Sequence, residues 1–297
     1  MNSFITRRRC PCCFNKNFEK IYSEKLCEDK VYQFIKKIYK NRIERQFFGS
    51  AKYTLLRCKK CSLIFQEEIL NQNNTERLYS EFINPSESFL KKKNSKITYF
   101  KLLSNNIFKI TRCCSEIFDL NPKNINVLDF GMGWANWCIS AKSYGLNVFG
   151  AELSQEKLKN AANNGIKTID PFKEEYIDFF HYINTEQVFE HLTDPYEILE
   201  NLTKTLKKKG IIKISVPPRS ISYLKLLINK NNWRPQKDSF QPLEHINSFN
   251  KKSIILLTKK FSLIPLKPQN LYKNPIVILI FLLASFLGYS PKYFQKI

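Results

Sequence analysis

Six of the eight glycines in this chain (Gly131, Gly133, Gly145, Gly150, Gly165 and Gly210) fall between residues 131 and 210. In so glycine-poor a sequence, each is expected where a side chain is not tolerated. Between them, apolar runs alternate with helical patterns. Asn126–Phe130, Asn147–Ala151, Ile166–Ile169, Tyr182–Thr185 and Ile211–Val216 read as strands. Ala135–Tyr144, Ser154–Asn163 (capped by Ser154) and Pro195–Leu206 read as helices, the last ended by the cations Lys207–Lys209 and by Gly210. Strands alternating with helices imply an α/β fold with a doubly wound parallel sheet.

The first of these strands runs into Asp129-Phe130-Gly131-Met132-Gly133-Trp134-Ala135. A Gly-x-Gly turn between a strand and a helix lets backbone amides approach a ligand at the helix amino end. Glu152 ends the second strand, where a carboxylate can accept hydrogen bonds from both hydroxyls of a ribose. That pair of features leaves a dinucleotide site and other adenosine sites equally open.

The stretch Asn184-Thr185-Glu186-Gln187-Val188-Phe189-Glu190-His191-Leu192-Thr193-Asp194-Pro195 and the later Leu206-Lys207-Lys208-Lys209-Gly210 narrow the choice. With the glycine turn and Glu152, they resemble the class I S-adenosylmethionine-dependent methyltransferases over about residues 124–218. Ala135 replaces the usual third glycine, and Lys208-Lys209-Gly210 lacks the usual proline. The resemblance implies a Rossmann-like methyltransferase sheet and an enzyme using S-adenosylmethionine. It also assigns cofactor contacts. Gly131 and Gly133 would face the methionine part, supported by Asp129, and Glu152 would hold the ribose. Asp170 would contact the adenine amino group, while Glu186 and Gln187 would line the opening at the sulfonium. Glu190 and His191 are expected to be structural.

Nine cysteines in a chain with no expected signal peptide point to thiols or metal ligation. Cys10/Cys13 and Cys58/Cys61 are two Cys-x-x-Cys pairs, the spacing at which one turn presents two sulfurs to one metal ion. Cys12 competes for the first pair but lacks the two-residue gap. Cys27, Cys113, Cys114 and Cys138 read as buried small residues. Val31, Phe34, Ile35, Ile38, Ile43 and Phe47 recur at helical intervals and suggest a helix inserted between the pairs. Leu56-Arg57-Cys58-Lys59-Lys60-Cys61-Ser62-Leu63-Ile64-Phe65, with Leu78-Tyr79, is similar to a methyltransferase family with an amino-terminal zinc ribbon. Its members act on sugar nucleotides or in surface-polysaccharide and natural-product pathways. Ser62 and Phe14 follow the two pairs where that family has glycine.

Gln241-Pro242-Leu243-Glu244-His245-Ile246-Asn247-Ser248-Phe249-Asn250 also resembles a passage of these enzymes. Asn250 suits a helix cap before Lys251–Lys260. His245 beside Glu244 is a candidate catalytic pair that would take a proton from the acceptor; the alternative is that both fasten the loop.

The expected organisation is a zinc-ribbon unit with helical insert at 1–82 and a helical linker at 83–123. A cofactor-binding domain at 124–265 and a carboxyl-terminal basic and apolar helix at 266–297 would follow. Formal charge is +22, with +11 in residues 1–100, −1 in 101–210 and +12 in 211–297. Such flanks suit an anionic small-molecule acceptor, nucleic acid or a membrane surface, or reflect coding bias. No Asn-Pro-Pro-Tyr-type base-methylating motif follows the fourth strand, which favours a sugar nucleotide or glycan precursor, methylated at oxygen or carbon, over RNA or a zinc-bearing nucleic-acid-binding role. Ile276–Leu287 is too short to span a bilayer. A cytoplasmic protein is expected, with a buried or interfacial helix there that could touch the inner membrane face.

Overall fold

The computed structural model describes residues 3–83, 97–219, 240–266 and 292–296. Ile276–Leu287 lies outside them. The chain forms two units. The first comprises Met1–Asn84, Phe189–Tyr196 and Pro217–Leu257; the second comprises Pro85–Val188, Glu197–Val216 and Thr258–Ile297.

From the amino end, the first unit contains β1 (Phe4–Thr6), β2 (Phe18–Lys25), α1 (Asp29–Ile38), β3 (Lys52–Cys58), β4 (Ile64–Gln66), β5 (Glu68–Leu70) and α2 (Gln72–Arg77). The long helix α3 (Ile97–Phe118) opens the second unit, followed by β6 (Asn126–Phe130), α4 (Asn136–Ser143), β7 (Asn147–Ala151), α5 (Gln155–Asn163), β8 (Lys167–Thr168) and β9 (Phe180–Glu186). Helix α6 (Pro195–Thr205) leads directly into β10 (Leu206–Ser215). The chain then supplies β11 (Asn247–Ser248) and α7 (Lys251–Lys259), and last β12 (Leu263–Leu266) and β13 (Lys292–Lys296).

In the first unit, β2, β3, β4 and β11 form an antiparallel sheet, and β1 pairs with β5. Val31, Ile35 and Tyr39 repeat every four residues, so one stripe of α1 is buried against Phe48, Tyr53 and Phe240. Asp29 lies in its first turn and Lys36 and Lys37 in its last, matching the helix dipole. The expected insert helix stops at Ile38 because Lys40 and Asn41 take left-handed backbone (φ 50° and 62°). Ile43 and Phe47 belong instead to the following turns.

The second unit is built on a seven-stranded sheet in the order β12-β13-β10-β9-β6-β7-β8. Strands β6 to β10 are parallel; β13 runs antiparallel to both β10 and β12. The expected α/β doubly wound sheet is therefore present. Its central strands are buried almost throughout, as both faces are covered. Leu103, Ile107, Ile110 and Cys114 form one stripe of α3, buried in a cluster with Val127, Cys138, Tyr182 and Ile211. The reading of Cys113, Cys114 and Cys138 as buried small residues agrees with this core.

Three expectations are corrected. Residues 240–257 join the amino-terminal unit, not the cofactor-binding one. Lys292–Lys296 is a sheet strand, not the end of a terminal helix, because its backbone pairs with Ile211–Ile214. Lys207–Gly210 do not terminate α6; they lie within β10, whose pairing shifts register between Leu206 and Ile211. Gly210 is there for close approach, since a Cβ on it would sit 2.7 Å from the Lys207 carbonyl oxygen. The cation at the end of α6 is Lys296, whose Nζ lies 2.7 Å from Leu206 O, 3.1 Å from Thr203 O and 3.0 Å from Asp178 Oδ1.

Candidate functional site

In the second unit the strand order reverses at β6, with β7 and β8 on one side and β9 and β10 on the other. Ligands of open parallel sheets bind at the carboxyl ends of the strands beside such a reversal. The residues expected to contact the cofactor lie on the elements at that edge. Gly131 and Gly133 take left-handed backbone (φ 72° and 56°), and a Cβ on Gly131 would stand 2.6 Å from Val188 Cγ2. The turn is pinned by the Gly131 and Met132 amides donating to Ala151 O at 2.9 and 3.1 Å. Ala135 is left-handed as well (φ 59°), a strain of about 1 kcal/mol that glycine would avoid.

Glu152 is tied into the same turn. Its Oε2 accepts from the Gly133 amide at 3.0 Å, and its Oε1 from the Leu153 and Ser154 amides at 3.0 and 3.1 Å. Lys157 Nζ is 3.5 Å away. Ser154 holds the helix cap position, but its side chain makes no cap bond; its amide serves Glu152 instead. Asp170 is exposed beyond β8, its Oδ1 accepting from the Phe172 amide at 3.1 Å.

Beneath the turn lies a row that the sequence reading did not include as a unit. Asp129 on β6 pairs in register with Asn184 on β9, which pairs with Lys213 on β10. In-register neighbours project from the same face of a sheet, and all three are buried. Asn184 Nδ2 donates to Asp129 Oδ1 at 2.7 Å. Cys138 Sγ donates to Asp129 Oδ2 at 3.6 Å. Burial pushes the Asp129 carboxyl up to about 6, with Asn184 hydrogen bonding in the opposite direction. Glu186, two residues beyond Asn184, accepts from Lys213 Nζ at 2.8 Å. A lone lysine inside the apolar run Ile211-Ile212-Lys213-Ile214 was the sequence signal for this ion pair. Gln187 is left-handed (φ 56°), its amide donating to Ser215 O at 2.9 Å. Among the described residues, Asn184 Oδ1 and Gln187 Nε2 are buried without a hydrogen-bond partner.

These orphaned polar atoms, with Asp129, Glu152 and Glu186 at neighbouring strand ends, fit a cationic group bearing ribose hydroxyls, amines and a carboxylate. S-adenosylmethionine is such a group. Glu152, Glu186 and the glycine turn are the residues that would hold it.

The first unit gathers two further clusters. Cys10, Cys13, Cys58 and Cys61 place all four sulfurs within 4.8 Å of one another, with Cys10–Cys61 and Cys13–Cys58 each at 3.5 Å. The two turns are built alike: the Phe14 amide donates to Cys10 O and the Ser62 amide to Cys58 O, both at 2.9 Å. Phe14 and Ser62 are left-handed (φ 58° and 62°), so both occupy a conformation that glycine favours. Hydrogen bonding from Cys10 draws the Cys61 thiol down to about 2 and pushes Cys10 up. Four sulfurs this close fit a tetrahedral metal ion. Cys12 is not one of these four; its Sγ donates to Ser253 O at 3.2 Å and it also hydrogen-bonds with Cys61.

The second cluster holds His245. Its ring meets that of His191 edge-on, centroids 4.8 Å apart. His191 Nδ1 donates to Glu244 O at 3.0 Å, which leaves the Nε2 side toward Glu190 Oε1 at 3.9 Å. Tyr79 Oη lies 3.1 Å from the same Nδ1. Glu244 accepts from Tyr39 Oη at 2.8 Å and from Gln241 Nε2. Tyr39 was not singled out in the sequence, Tyr79 entered only through the ribbon resemblance and His191 only as an expected structural residue, because only tertiary contact joins three segments so far apart. The third histidine, His181, is buried, accepts the Asn126 amide at 2.9 Å and is pushed down by that burial.

The family model of a methyltransferase domain (Methyltransf_23) matches residues 105–263. No curated protein matches the chain in sequence. Among solved structures, the chain is similar to 1,6-didemethyltoxoflavin-N1-methyltransferase from Burkholderia thailandensis, with 13% identity, TM-score 0.47, and 81% and 98% of the two chains covered. It is similar to magnesium protoporphyrin IX methyltransferase from Synechocystis PCC 6803, with 11% identity, TM-score 0.47 and coverage of 76% and 100%. A plantazolicin methyltransferase in complex with S-adenosylhomocysteine matches at 15% identity and TM-score 0.48, covering 75% and 93%.

Proposed function

The chain belongs to the methyltransferase-domain family and is an S-adenosylmethionine-dependent methyltransferase, and from that premise we propose that it methylates an anionic small molecule, a sugar nucleotide or surface-glycan precursor, at oxygen or carbon. The observation that carries this reading is the His191–His245 pair, with Glu244 held by Tyr39 and Gln241. A hydroxyl or carbon acid must lose a proton when it is methylated, and a neutral imidazole suits that task near pH 7.

When bound, S-adenosylmethionine supplies a methyl group already activated on a sulfonium. The protein's own share is to bind, align and deprotonate. In this reading the Gly131–Gly133 turn and Glu152 fix the nucleoside, Asp170 meets the adenine amino group, and Glu186 and Gln187 line the reacting end. His245, supported by Glu244, takes the acceptor proton. The cation-rich flanks draw in an anionic acceptor. Cys10, Cys13, Cys58 and Cys61 hold one zinc ion, which stabilises the amino-terminal unit and takes no part in methyl transfer. The protein works in the cytoplasm, with Ile276–Leu287 as its candidate contact to the inner membrane face.

The test is mass spectrometry of nucleotide-sugar and glycan pools from cells with the active protein and with an inactive Gly131→Val variant. A species 14 mass units lighter that accumulates only with the variant supports the reading. Unchanged pools, together with methylated RNA that depends on the active protein, would replace it.

A further inference from the structure

The Asp129–Asn184–Lys213 row places a buried ammonium among the acidic groups of the cofactor site. Lys213 is 6% exposed and sits on β10, in register with Asn184 and one strand further from Asp129. Its Nζ reaches up the same face to Glu186 Oε2 at 2.8 Å. The Lys213 side chain is 8% exposed and that of Glu186 33%, so the pair runs from the sheet interior toward the open carboxyl edge. A buried lysine is costly unless its charge is matched. Here its partner is a carboxylate expected to face the cofactor.

The methyl donor and its product differ by one charge: the donor carries a sulfonium, and the product a neutral thioether. A site can tell them apart by charge only through the net field at the sulfur. Glu186 alone would favour the cation, but Lys213 already sits at hydrogen-bond distance from it and offsets that field. Asp129 feels both groups, Glu186 raising and Lys213 lowering its carboxyl pKa, so the three act within one electrostatic neighbourhood. We propose that Lys213 is a specificity-determining residue that, through its ion pair with Glu186, sets how strongly the enzyme prefers the cationic methyl donor to its neutral product. The inference is independent of the acceptor's identity.

The experiment is titration calorimetry of S-adenosylmethionine and S-adenosylhomocysteine with the full-length protein at fixed ionic strength. Lys213→Met should raise the donor-to-product affinity ratio by about tenfold, as expected for removing one poorly screened unit charge. Lys213→Arg, which keeps the charge, should leave the ratio near that of the parent. Glu186→Gln lies at a partly exposed position and should lower the ratio several-fold, because the ammonium then acts unopposed. Product affinity reports that the site is intact in each variant. Equal weakening of both ligands in Lys213→Met would make the lysine a purely structural element and overturn the proposal. Should Lys213→Met fail to fold, an unchanged ratio in Glu186→Gln overturns it equally.

Discussion

The Arg7 guanidinium donates to Asn247 Oδ1 at 2.8 Å, joining two residues of the first unit that are 240 positions apart. Arg7 also donates to Gln66 O and Ile246 O, at 2.6 to 2.8 Å. Asn247 Nδ2 in turn holds Phe189 O at 3.2 Å and Leu192 O at 2.6 Å. Gln66 Nε2 donates to Gln241 O and His245 O at 3.0 and 3.2 Å. The turn carrying His191 and the loop carrying His245 are thus fastened to one buried polar hub.

Removing that hub should loosen the first unit. Burial lowers the Arg7 pKa to about 9 against the opposing charges of Cys10 and Asp194, and four hydrogen bonds satisfy the buried guanidinium. Arg7→Met strands buried carbonyls and should lower stability by about 2–4 kcal/mol. Urea unfolding followed by circular dichroism checks this; an unchanged midpoint with unchanged slope contradicts it.

Glu152→Ala should weaken S-adenosylmethionine binding by about 1–3 kcal/mol, the size of lost charge-assisted hydrogen bonds. Glu152 also supports the Gly133 amide, so part of the loss would come from a looser turn. Calorimetry on the folded variant decides, and full affinity would place the ribose elsewhere.

Asp129 makes stability depend on pH with a definite sign. Its folded pKa is raised from 3.8 to about 6, so the folded state holds the proton more tightly than the unfolded chain. The stability tied to that proton is complete below about pH 4 and is lost as pH rises through 6, a change of about 3 kcal/mol. Asp129→Asn should remove this slope. Unfolding midpoints of both proteins between pH 4 and 8 test it: parallel curves would mean that Asp129 titrates as an ordinary carboxylate.

The four-sulfur cluster leads to a stoichiometric expectation. Freshly purified, reduced protein should carry one zinc per chain, and Cys58→Ser should lose it and destabilise the first unit, whereas Cys12→Ser should retain it. Elemental analysis beside thermal unfolding supplies both readouts. Metal-free parent protein would rule the site out.

Much of the site was legible because it is local. A strand, a Gly-x-Gly turn and a helix are encoded within the 18 consecutive residues Asn126–Ser143, and Glu152 follows at the end of the next strand. Asn250 was readable as a cap for the same reason: its Oδ1 accepts the Ser253 amide at 2.8 Å, three residues on. The Cys-x-x-Cys pairs announce two turns built alike, although their meeting depends on the pairing of β2 with β3, which sets Phe18 opposite Cys58.

What tertiary structure decided is the pairing of residues that carry no local pattern. Lys207–Lys209 had the right charge to close α6 by sequence proximity. Lys296 does so, because β13 lies beside β10 and brings its Nζ to the last carbonyls. Lys213 joined the Asp129–Asn184 row of the candidate site through the register of β6, β9 and β10, and Arg7 the turn carrying His191 through Asn247. Sequence by itself determined the periodicities and turns, since they arise from interactions between residues a few positions apart. Charge placement was left to the fold, because a buried charge is stable only opposite a partner, and strand register, not spacing along the chain, decides which partner that is.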